Sequence, residues 1–366
     1  MSPSLTEQIR RKAESLGFSK CAIAPVGSLA KSDFYQEWIR CEFHGEMAYM
    51  ARDPERRLSL EKILPGAQSV ICVAQNYATS HAQSEDPKRG KISRYAWGED
   101  YHEVIKDKLH LMRRFLEEQG MKAKVCVDTS AVLEKLWARQ AGIGWQGKHT
   151  NLISRDLGSW YFLGEILTDL PLEYDEVHKE SHCGTCTRCI DLCPTDAIVA
   201  PFVLDSRKCI SYLTIEHRGV IDRDLRARMG SWIYGCDICQ DVCPWNKFAQ
   251  EEIDVRFHPR EGNLAPSLID LLGLSIEGFR ERFRKSPIKR AKYPGFLRNV
   301  CIALGNSGDP AALPALKKAL THSESLVRVH AAWALGRLGG EEALRERAGK
   351  ETDPDVLEEI SLSLAE

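Results

Sequence analysis

The spacing of apolar and polar positions predicts that the first half of the chain folds as a mixture of helices and strands. Apolar residues recur at helical intervals over residues 5–16 and 101–118, so we predict an amphipathic helix in each segment. Short, mainly apolar runs predict buried strands at 69–75, 123–127 and 159–167. Strands that alternate with helices are typical of an α/β domain, which we assign to residues 1–175.

A helical pattern repeats near the C-terminus. The heptapeptide Asn-Val-Cys-Ile-Ala-Leu-Gly at 299–305 matches His-Ala-Ala-Trp-Ala-Leu-Gly at 330–336, thirty-one residues later. Asp-Pro pairs at 309–310 and 353–354 introduce further apolar helical stretches. Helical pairs at this period are typical of HEAT-like repeats, so we expect an α-helical repeat domain at 294–366. Such arrays present a surface to a macromolecule more often than they carry chemistry, and a stabilising cap is the alternative.

Eight of the thirteen cysteines lie between Cys183 and Cys243. The run Cys-Gly-Thr-Cys-Thr-Arg-Cys-Ile-Asp-Leu-Cys-Pro at 183–194 has the C-x₂-C-x₂-C-x₃-C-P spacing of bacterial [4Fe–4S] ferredoxins. A second, displaced set consists of Cys209 and the run Cys-Asp-Ile-Cys-Gln-Asp-Val-Cys-Pro at 236–244. Two such sets predict a ferredoxin-like module with two [4Fe–4S] clusters, which we place at residues 176–250.

The ligands of each cluster follow from the reach of the chain. A short C-x₂-C-x₂-C loop reaches three corners of a cube, and the proline after the fourth cysteine turns that thiolate toward the neighbouring cluster. One cluster is therefore assigned to Cys183, Cys186, Cys189 and Cys243. The other cluster is assigned to Cys193, Cys209, Cys236 and Cys239. Tetrahedral zinc is the rival ligand for paired C-x₂-C spacings, although two crossed CP runs fit it poorly.

The remaining cysteines do not indicate a disulfide framework, because they are scattered and odd in number. We expect them to be buried small hydrophobic residues, and they are Cys21, Cys41, Cys72, Cys126 and Cys301.

Composition and charge are those of an ordinary globular protein. The chain has 366 residues, of which 43% are hydrophobic and 28% charged, with a net charge of −2. No apolar run of about eighteen residues is present, so no membrane span is expected. The N-terminal segment lacks the apolar centre of a secretory signal, and together with oxygen-labile clusters this predicts a cytoplasmic protein.

Basic side chains are concentrated between positions 279 and 299, around the end of a segment, 251–293, that we interpret as a basic linker. They are Arg280, Arg282, Arg284, Lys285, Lys289, Arg290, Lys292 and Arg298, against the single acid Glu281. Aromatic residues are interleaved with them at Phe283, Tyr293 and Phe296. Such a cluster is typical of a surface that binds a phosphate backbone. A solvated helix face is the alternative.

Asp128 is the candidate for chemistry outside the clusters, since it directly follows a predicted strand. It is either the N-cap of the next helix or an acid at the mouth of an α/β sheet, where ligands gather. Three glycines follow within 141–148, Ala-Gly-Ile-Gly-Trp-Gln-Gly-Lys. They would allow the backbone to approach a bulky ligand, or they form a tight helix-to-strand connection.

Together these motifs resemble those of the epoxyqueuosine reductases, and the likeness extends over essentially the entire chain. The segments that carry it are Asp128-Thr129, 141–148, 183–194, Tyr-Gly-Cys through Trp-Asn at 234–246, Arg-Tyr-Ala-Trp-Gly at 94–98, and Asp-Tyr-His at 100–102. The resemblance implies an oxidoreductase that reduces the epoxide of epoxyqueuosine at the wobble position of tRNA to queuosine. It further implies cobalamin and two [4Fe–4S] clusters, an external donor of flavodoxin or ferredoxin type, and an α/β domain that binds the cobalamin. The expected architecture is thus α+β and multidomain, and we expect a monomer.

The resemblance also implies roles for individual residues. Asp128 would be the general acid, and burial beside the corrin should raise its pKa. The expected cobalamin contacts are Arg57, Ser93, Asp128, Leu152, Leu163, Ser206, Ser211, Cys236 and Asp237. The expected tRNA contacts are His217 and Arg218 from the family and, from the basic segment, Arg284, Lys285, Lys289 and Arg290.

Three other functions remain open at this point. A corrinoid and iron–sulfur reductase of the reductive dehalogenase type would share the cofactors, but it would have no reason to carry a basic segment joined to helical repeats. A non-catalytic electron carrier would not need a large domain ahead of the clusters. A repeat protein that binds RNA or protein, with structural clusters, would take up no corrinoid.

Overall fold

The computed structural model describes residues 3–27, 29, 32–178 and 180–365. Its strands are β1 (Lys20–Pro25), β2 (Ser69–Asn76), β3 (Lys91–Ile92), β4 (Ala123–Cys126), β5 (Trp145–Gln146), β6 (Leu152–Ile153), β7 (Tyr161–Thr168), β8 (Ile198–Ala200), β9 (Val203–Leu204) and β10 (Trp232–Tyr234). The helices of the N-terminal half are α1 (Leu5–Ser15), α2 (Ser32–Arg40), α3 (Ala48–Ala51), α4 (Pro54–Leu58), α5 (Tyr101–Glu118) and α6 (Glu134–Gln140).

The helices of the second half are mostly short until the repeats begin. They are α7 (Arg188–Asp191), α8 (Ile210–Ile215), α9 (Arg223–Arg226), α10 (Ile238–Asp241), α11 (Leu268–Leu272), α12 (Ile276–Arg282), α13 (Tyr293–Ser307), α14 (Leu313–Ala319), α15 (Ser325–Arg337), α16 (Glu341–Ala348) and α17 (Pro354–Ala365). Among the described residues, no helix combines the length and apolar composition that a membrane crossing requires.

A four-stranded sheet in the order β1-β2-β7-β4 forms the centre of the N-terminal half. The mainly apolar runs predict burial on both faces, and both faces of β2 are covered. Ile71 and Val73 of β2 pack in one core with α1 and α5, whereas Val70 and Cys72 pack in another with α6. The predicted mixture of helices and strands is therefore present.

The direction of the strands was not predictable from their alternation with helices. Every neighbouring pair in this sheet is antiparallel, including β2 with β7 and β4 with β7. The ends of β2 and β4 therefore lie at the same edge as the beginning of β7, since antiparallel neighbours run in opposite directions. The site described below lies over this edge, which is formed by loops of mixed strand polarity and not by the carboxyl ends of parallel strands.

The C-terminal repeats pack helix against helix, and the glycines of the repeated heptapeptide lie at the contacts. α13 packs on α15, and α15 packs on α17. A Cβ atom at Gly305 would lie 2.7 Å from the Trp333 ring, and one at Gly336 would lie 2.7 Å from Cβ of Ser363. Only glycine permits these close approaches, which explains why the repeat ends in this residue. The HEAT-like architecture predicted from the thirty-one-residue spacing is confirmed.

The segment 251–293 is not an extended linker, and our interpretation of it as a linker is wrong. It contains α11 and α12, and it buries Leu268, Phe279 and Phe283 in the same core that holds β10 and the repeats. The aromatic residues interleaved with the basic ones have this role, because Phe283 and Phe296 are both fully buried. The cluster module and the repeats therefore share one continuous hydrophobic core.

The cysteines outside the cluster segment follow the expected burial in part. Cys72, Cys126 and Cys301 are buried, and Cys21 is half-buried. Cys41 is exposed just after α2, where its thiol lies 3.3 Å from the Glu37 carboxylate. The expectation is wrong for Cys41, because the end of a surface helix leaves its thiol open to solvent.

Candidate active site

Two adjoining cavities lie between the sheet edge and the cluster module. Their volumes are about 1080 Å³ and about 430 Å³. The residues that line both cavities, and so form their shared wall, are Tyr95, Tyr101, Asp128, Glu134, Lys135, Thr150, Leu204, Cys209 and Ser211. Ligand sites for drug-sized molecules are roughly 300–1,000 Å³, so the larger cavity alone is sufficient for a large ligand.

The eight clustered cysteines form two groups in space, and the groups agree with the assignment made from the spacing. The thiols of Cys193, Cys209, Cys236 and Cys239 line the smaller cavity together. The other four cysteines line neither cavity. They are neighbours of one another, because burial and then the thiols of Cys183, Cys243 and Cys186 raise the pKa of Cys189 to about 11. None of the thirteen cysteines, all of which the structure describes, forms a disulfide. Among the described residues, no three cysteine, histidine or acidic side chains converge closely enough to hold a single metal ion, so the two groups of neighbouring thiols fit the larger [4Fe–4S] cluster better.

The glycine-rich segment 141–148 joins the N-terminal domain to the cluster module. Lys148 Nζ donates hydrogen bonds to the carbonyl oxygens of Gly184 and Cys186, at 2.8 and 2.9 Å. A Cβ atom at Gly144 would lie 2.1 Å from the Ile153 carbonyl oxygen. The glycine at this position therefore allows a close approach to the protein's own backbone, and the interpretation as a tight connection is the correct one here.

Asp128 lies on a loop that the N-cap interpretation does not describe. α6 begins at Glu134 with Leu133 as its N-cap, so Asp128 does not cap this helix. Asp128 has a φ of +47°, in the left-handed region that non-glycine residues rarely adopt. Its backbone N–H donates to Oε1 of Glu134 at 2.5 Å. Its side chain is 52% exposed and is accessible to a ligand, because the residue lines both cavities.

The carboxylate of Asp128 is paired with His102 in the first turn of α5. Nε2 of His102 lies 2.8 Å from Oδ2 of Asp128, and Nδ1 lies 2.6 Å from Oδ1 of Asp100. Burial alone would lower the pKa of His102, but the hydrogen bonds and charges of the two carboxylates raise it to about 9. The imidazole is therefore protonated at neutral pH.

The expected rise in the pKa of Asp128 is not found. Burial does raise it, but the hydrogen bond and positive charge of His102 outweigh burial, and the net pKa lies below its usual value. The expectation concerned burial beside a bound corrin and stays a prediction, and no sequence pattern indicates that a cationic histidine faces the carboxylate. At neutral pH the proton is on Nε2 of His102 and the negative charge is on Asp128.

Most of the expected cobalamin contacts lie on the cavity walls. Ser93, Leu152, Leu163, Ser211 and Cys236 line the smaller cavity, and Arg57, Ser206 and Ser211 line the larger one.

Asp237 lines neither cavity. It is fully buried and accepts hydrogen bonds from the Ser93 hydroxyl and from the Arg94 backbone N–H. It therefore holds the 93–94 segment in place beneath the cavity.

Several wall residues were not assigned roles from the sequence. The Tyr101 ring stacks on Phe162 at 4.4 Å and on His102 at 4.0 Å. The Tyr161 hydroxyl and Nε2 of His149 are buried, line the smaller cavity, and have no hydrogen-bond partner in the described part of the chain. Such atoms are available to a bound ligand. Tyr101 and His102 belong to the Asp-Tyr-His motif at 100–102, and this motif is the sequence signal that could have identified them as site residues.

The basic segment contributes one face of the larger cavity. Lys285, Lys289 and Arg290 line it and are exposed. The Arg290 guanidinium also pairs with Glu216 through two hydrogen bonds of 2.9 and 2.8 Å. Arg284 is exposed but lines neither cavity. We call the turn 285–290, whose three basic side chains are exposed, the basic turn.

The two residues that the resemblance assigns to tRNA are engaged with the protein. Arg218 donates hydrogen bonds to the carbonyl oxygens of Arg290 and Ala291, at 3.0 and 3.1 Å, and so supports the basic turn from behind. Nδ1 of His217 lies 3.1 Å from Glu46. Arg298, counted above among the basic residues, is only 1% exposed and donates to backbone carbonyls, so it is structural.

Comparison with protein-family models identifies three segments. Residues 57–129 match the model described as epoxyqueuosine reductase QueG, DUF1730. Residues 182–246 match a 4Fe-4S double cluster binding domain, and residues 288–365 match HEAT repeats. The second match covers all eight clustered cysteines, supports two [4Fe–4S] clusters in this segment and disfavours zinc.

Curated relatives carry the name epoxyqueuosine reductase. The protein from Synechocystis sp. is 48% identical over 283 residues, which cover 75% of this chain and 96% of the relative. The protein from Xanthomonas campestris pv. campestris is 41% identical, over 91% of this chain and 96% of the relative. The Escherichia coli protein is 38% identical, over 91% and 89%.

Solved structures of epoxyqueuosine reductases match nearly the whole fold. A crystal structure with an epoxyqueuosine-modified tRNA-Tyr stem loop has a TM-score of 0.91 at 32% identity, covering 99% of this chain and 98% of that one. The Bacillus subtilis enzyme, in a structure described as having its catalytic loop swung out of the active site, has a TM-score of 0.90 at 31% identity, with the same coverage of both chains.

Proposed function

The chain belongs to the epoxyqueuosine reductase family, and we infer that it reduces epoxyqueuosine at the wobble position of tRNA to queuosine. The single observation that carries this inference is the meeting of three features at one pair of cavities. Four cluster thiols, the Asp128–His102 pair and the basic turn all lie on the cavity walls. An electron carrier or a simple RNA-binding protein has no need for such an arrangement.

The overall reaction defines what the site must supply. Conversion of an epoxide to an alkene consumes two electrons and two protons, breaks both C–O bonds and releases the oxygen as water. The electrons must arrive singly, because each [4Fe–4S] cluster exchanges one at a time. At least one proton must be available beside the departing oxygen, since an alkoxide is a poor leaving group.

We propose that the cavities bind cobalamin. The fit rests on a combined space suited to a large ligand and on the apolar side chains of Leu152 and Leu163 in the cavity wall. It rests also on the Tyr161 hydroxyl and the His149 nitrogen, which have no hydrogen-bond partner within the described part of the chain. Arg57, Ser93, Ser206, Ser211 and the backbone at Cys236 would hold its polar periphery. When bound, cobalamin would supply a strongly reducing, nucleophilic metal centre.

The cluster bound by Cys193, Cys209, Cys236 and Cys239 would be the inner one, since its thiols line the cavity. The cluster bound by Cys183, Cys186, Cys189 and Cys243 would then receive electrons from an external donor of flavodoxin or ferredoxin type. Lys148 fixes the spacing between this outer cluster's loop and the cavity wall through its two carbonyl hydrogen bonds.

Asp128 and His102 would deliver the proton. The imidazolium carries it on Nε2, which lies 2.8 Å from Oδ2 of Asp128, and Asp128 lines the cavity. As negative charge develops on the epoxide oxygen, Asp128 can accept the proton from His102 and pass it to that oxygen. In the Bacillus subtilis relative the catalytic loop has been seen swung out of the active site, which supports a loop that moves to admit substrate.

The tRNA would bind across the basic turn. Lys285 and Lys289 lie exposed where phosphates could approach the cavity, and Arg290 is held by Glu216 beside them. A wobble base can reach Asp128 only if it leaves its stack, as in other enzymes that modify single bases. Arg218 and His217 would act behind this surface, where they support the basic turn and the neighbouring loop.

Replacing Asp128 tests the proposed role directly. D128N removes the exchangeable acid and keeps the size of the side chain, so turnover should fall about 10²- to 10⁴-fold, the usual contribution of acid–base catalysis. Turnover is measured anaerobically as conversion of epoxyqueuosine in a tRNA stem loop, with iron and cobalamin content determined on the same sample. The control is D107N, an exposed aspartate on α5 that lines neither cavity. Parent-like turnover by cluster-loaded D128N would remove the role.

A further inference from the structure

A second pair of carboxyl groups lies beneath the loop that carries Asp128. Glu134 is the first residue of α6, and Glu165 is at the middle of β7 with no exposed surface. No hydrogen-bond donor with ordinary geometry meets either Glu165 carboxyl oxygen in the described part of the chain. Glu134 is the charged residue that interacts with Glu165 most strongly. The mechanism described above uses neither residue.

The two acids can be accommodated only if at least one remains protonated. Burial raises the pKa of both, and the charge of Asp128 on Glu134 and of Glu134 on Glu165 raises them further. A shared proton satisfies a buried carboxyl pair, because two adjacent carboxylates cannot both ionise there. Glu165 then serves as a neutral support, and Glu134 keeps an oxygen free to accept a hydrogen bond.

That oxygen accepts from the backbone N–H of Asp128, at 2.5 Å. The bond is made where the backbone of Asp128 has its unfavourable left-handed conformation, with φ of +47°. Residues other than glycine are disfavoured in this region, so the loop needs an external restraint to remain there. The same conformation directs the Asp128 carboxylate to His102 and into the cavity.

We propose that Glu134, supported by Glu165, is a positioning residue that holds the Asp128 peptide in its left-handed conformation and so keeps the acid at the cavity. The proposal rests on the proposed role of Asp128 in proton delivery. The titratable and charged groups that surround the pair are Asp128, His102, Tyr101 and Lys135 around Glu134, and Cys72 and Cys126 around Glu165.

If Glu134 only stabilised its helix, the protein would tolerate different substitutions from those that a positioning role allows. Glu134 is in the first turn of α6, where any negative charge favours the helix dipole. In that case E134D, which keeps the charge, should behave like the parent and E134Q should not. A positioning role predicts the reverse. The glutamine of E134Q keeps the reach and the acceptor oxygen, whereas the shorter side chain of E134D withdraws the carboxylate by one methylene.

The test measures the loop directly by hydrogen exchange of the Asp128 amide in the cluster-loaded protein. We expect E134Q to retain the parent's protection, and E134D and E134A to lose it roughly 10- to 100-fold, as for the loss of one hydrogen bond to a carboxylate. Turnover should fall about 100-fold in E134D and E134A, as for a displaced catalytic group, with the KM for the tRNA stem loop unchanged. E277A removes an exposed first-turn glutamate from α12 and should change neither quantity.

The outcomes separate this proposal from the proposed function. Protection retained in E134D, or lost in E134Q, overturns the positioning role whatever the turnover. If D128N remains active while E134D loses amide protection, the proton-delivery role fails and the restraint on the loop stands. Because E134D and E134Q differ little in volume from the parent, the comparison does not depend on E134A folding.

Discussion

His102 lies between two carboxylates, 2.6 Å from Asp100 and 2.8 Å from Asp128. Their hydrogen bonds and charges raise the pKa of His102 from 6.5 to about 9, against the opposing effect of burial. The site therefore stores a proton throughout the physiological range, at the nitrogen that faces the candidate acid. Because the histidine neutralises part of the local negative charge, it also allows Asp128 to stay ionised inside the cavity.

This arrangement predicts a pH dependence of turnover. The rate should be steady around neutral pH and should decline as pH rises through about 9, because His102 loses its proton there. H102Q should turn over roughly 100-fold more slowly, as for removal of an acid–base group, and should lack the alkaline decline. Anaerobic initial rates across pH give both profiles. An identical alkaline limb in the two proteins would contradict the assignment to His102.

The same pKa predicts where the ion pairs stabilise the fold. The pKa of His102 is raised on folding, so its contribution is fully present below 6.5 and is lost as pH rises through about 9. The thermal midpoint of H102Q should thus lie farthest below that of the parent in mildly acidic buffer and approach it once the pH exceeds about 9. A difference that grows with pH would reverse the sign and exclude a stabilising imidazolium.

At the residue scale, the sequence indicated Asp128 as the candidate acid but did not indicate which groups surround its carboxylate and its backbone. Asp128 stood out because it follows a strand, and it does face the cavity. Its partner His102 is twenty-six residues earlier, on α5, and Glu134 accepts a hydrogen bond from the Asp128 backbone, which has a positive φ. Neither contact has a spacing signature. The first depends on how the loop after β4 lies against the start of α5, and the second on the positive φ of Asp128.

Among the elements, the basic turn at 285–290 carries the clearest expectation for RNA binding. Lys285 and Lys289 line the larger cavity and are exposed, whereas Arg290 is already paired with Glu216. Replacing both lysines with glutamine should weaken tRNA binding and reduce the slope of log K against log salt by about 1.4 to 1.8, since each phosphate contact contributes about 0.7 to 0.9. Binding isotherms at several salt concentrations measure this slope.

The control for this experiment is the pair Lys317 and Lys318 on α14, which are exposed and line neither cavity. Glutamine at both positions removes the same charge and should leave the slope near that of the parent. An unchanged slope in the Lys285/Lys289 variant, or an equal loss in the control, would show that the basic turn is not the RNA contact.

The elements also show which sequence patterns were informative. Mainly apolar runs identified β2, β4 and β7, and β2, which is buried at every position, shows no polar side. The same runs carry no information about strand direction, and the sheet proved antiparallel throughout. The glycines of 141–148 suggested a ligand loop, yet Gly144 approaches the Ile153 backbone and Lys148 binds the cluster loop. A glycine pattern indicates a close approach without naming the partner.

On the scale of the whole molecule, the order of the modules was predictable from the sequence. The hydrophobic core that the cluster module and the repeats share was not. Cysteine spacing located the clusters, and the thirty-one-residue repeat located the helical array. The segment between them carries Phe279 and Phe283 in a core shared with β10 and α13. The sequence did not indicate this shared core, because exposed lysines and arginines separate the buried aromatic residues. The consequence is a single continuous support for the cluster thiols and the basic turn.

The central claim is that two [4Fe–4S] clusters and a cobalamin in the adjoining cavities act together on epoxyqueuosine in tRNA. The most direct test follows the mass of the nucleoside released from a modified tRNA stem loop after incubation with reductant and anaerobically reconstituted protein. We expect about eight irons per chain, two cubes of four. We also expect loss of one oxygen atom from the nucleoside only when cobalamin has been supplied. Conversion that proceeds equally without cobalamin, or no conversion by protein loaded with both cofactors, would contradict the account.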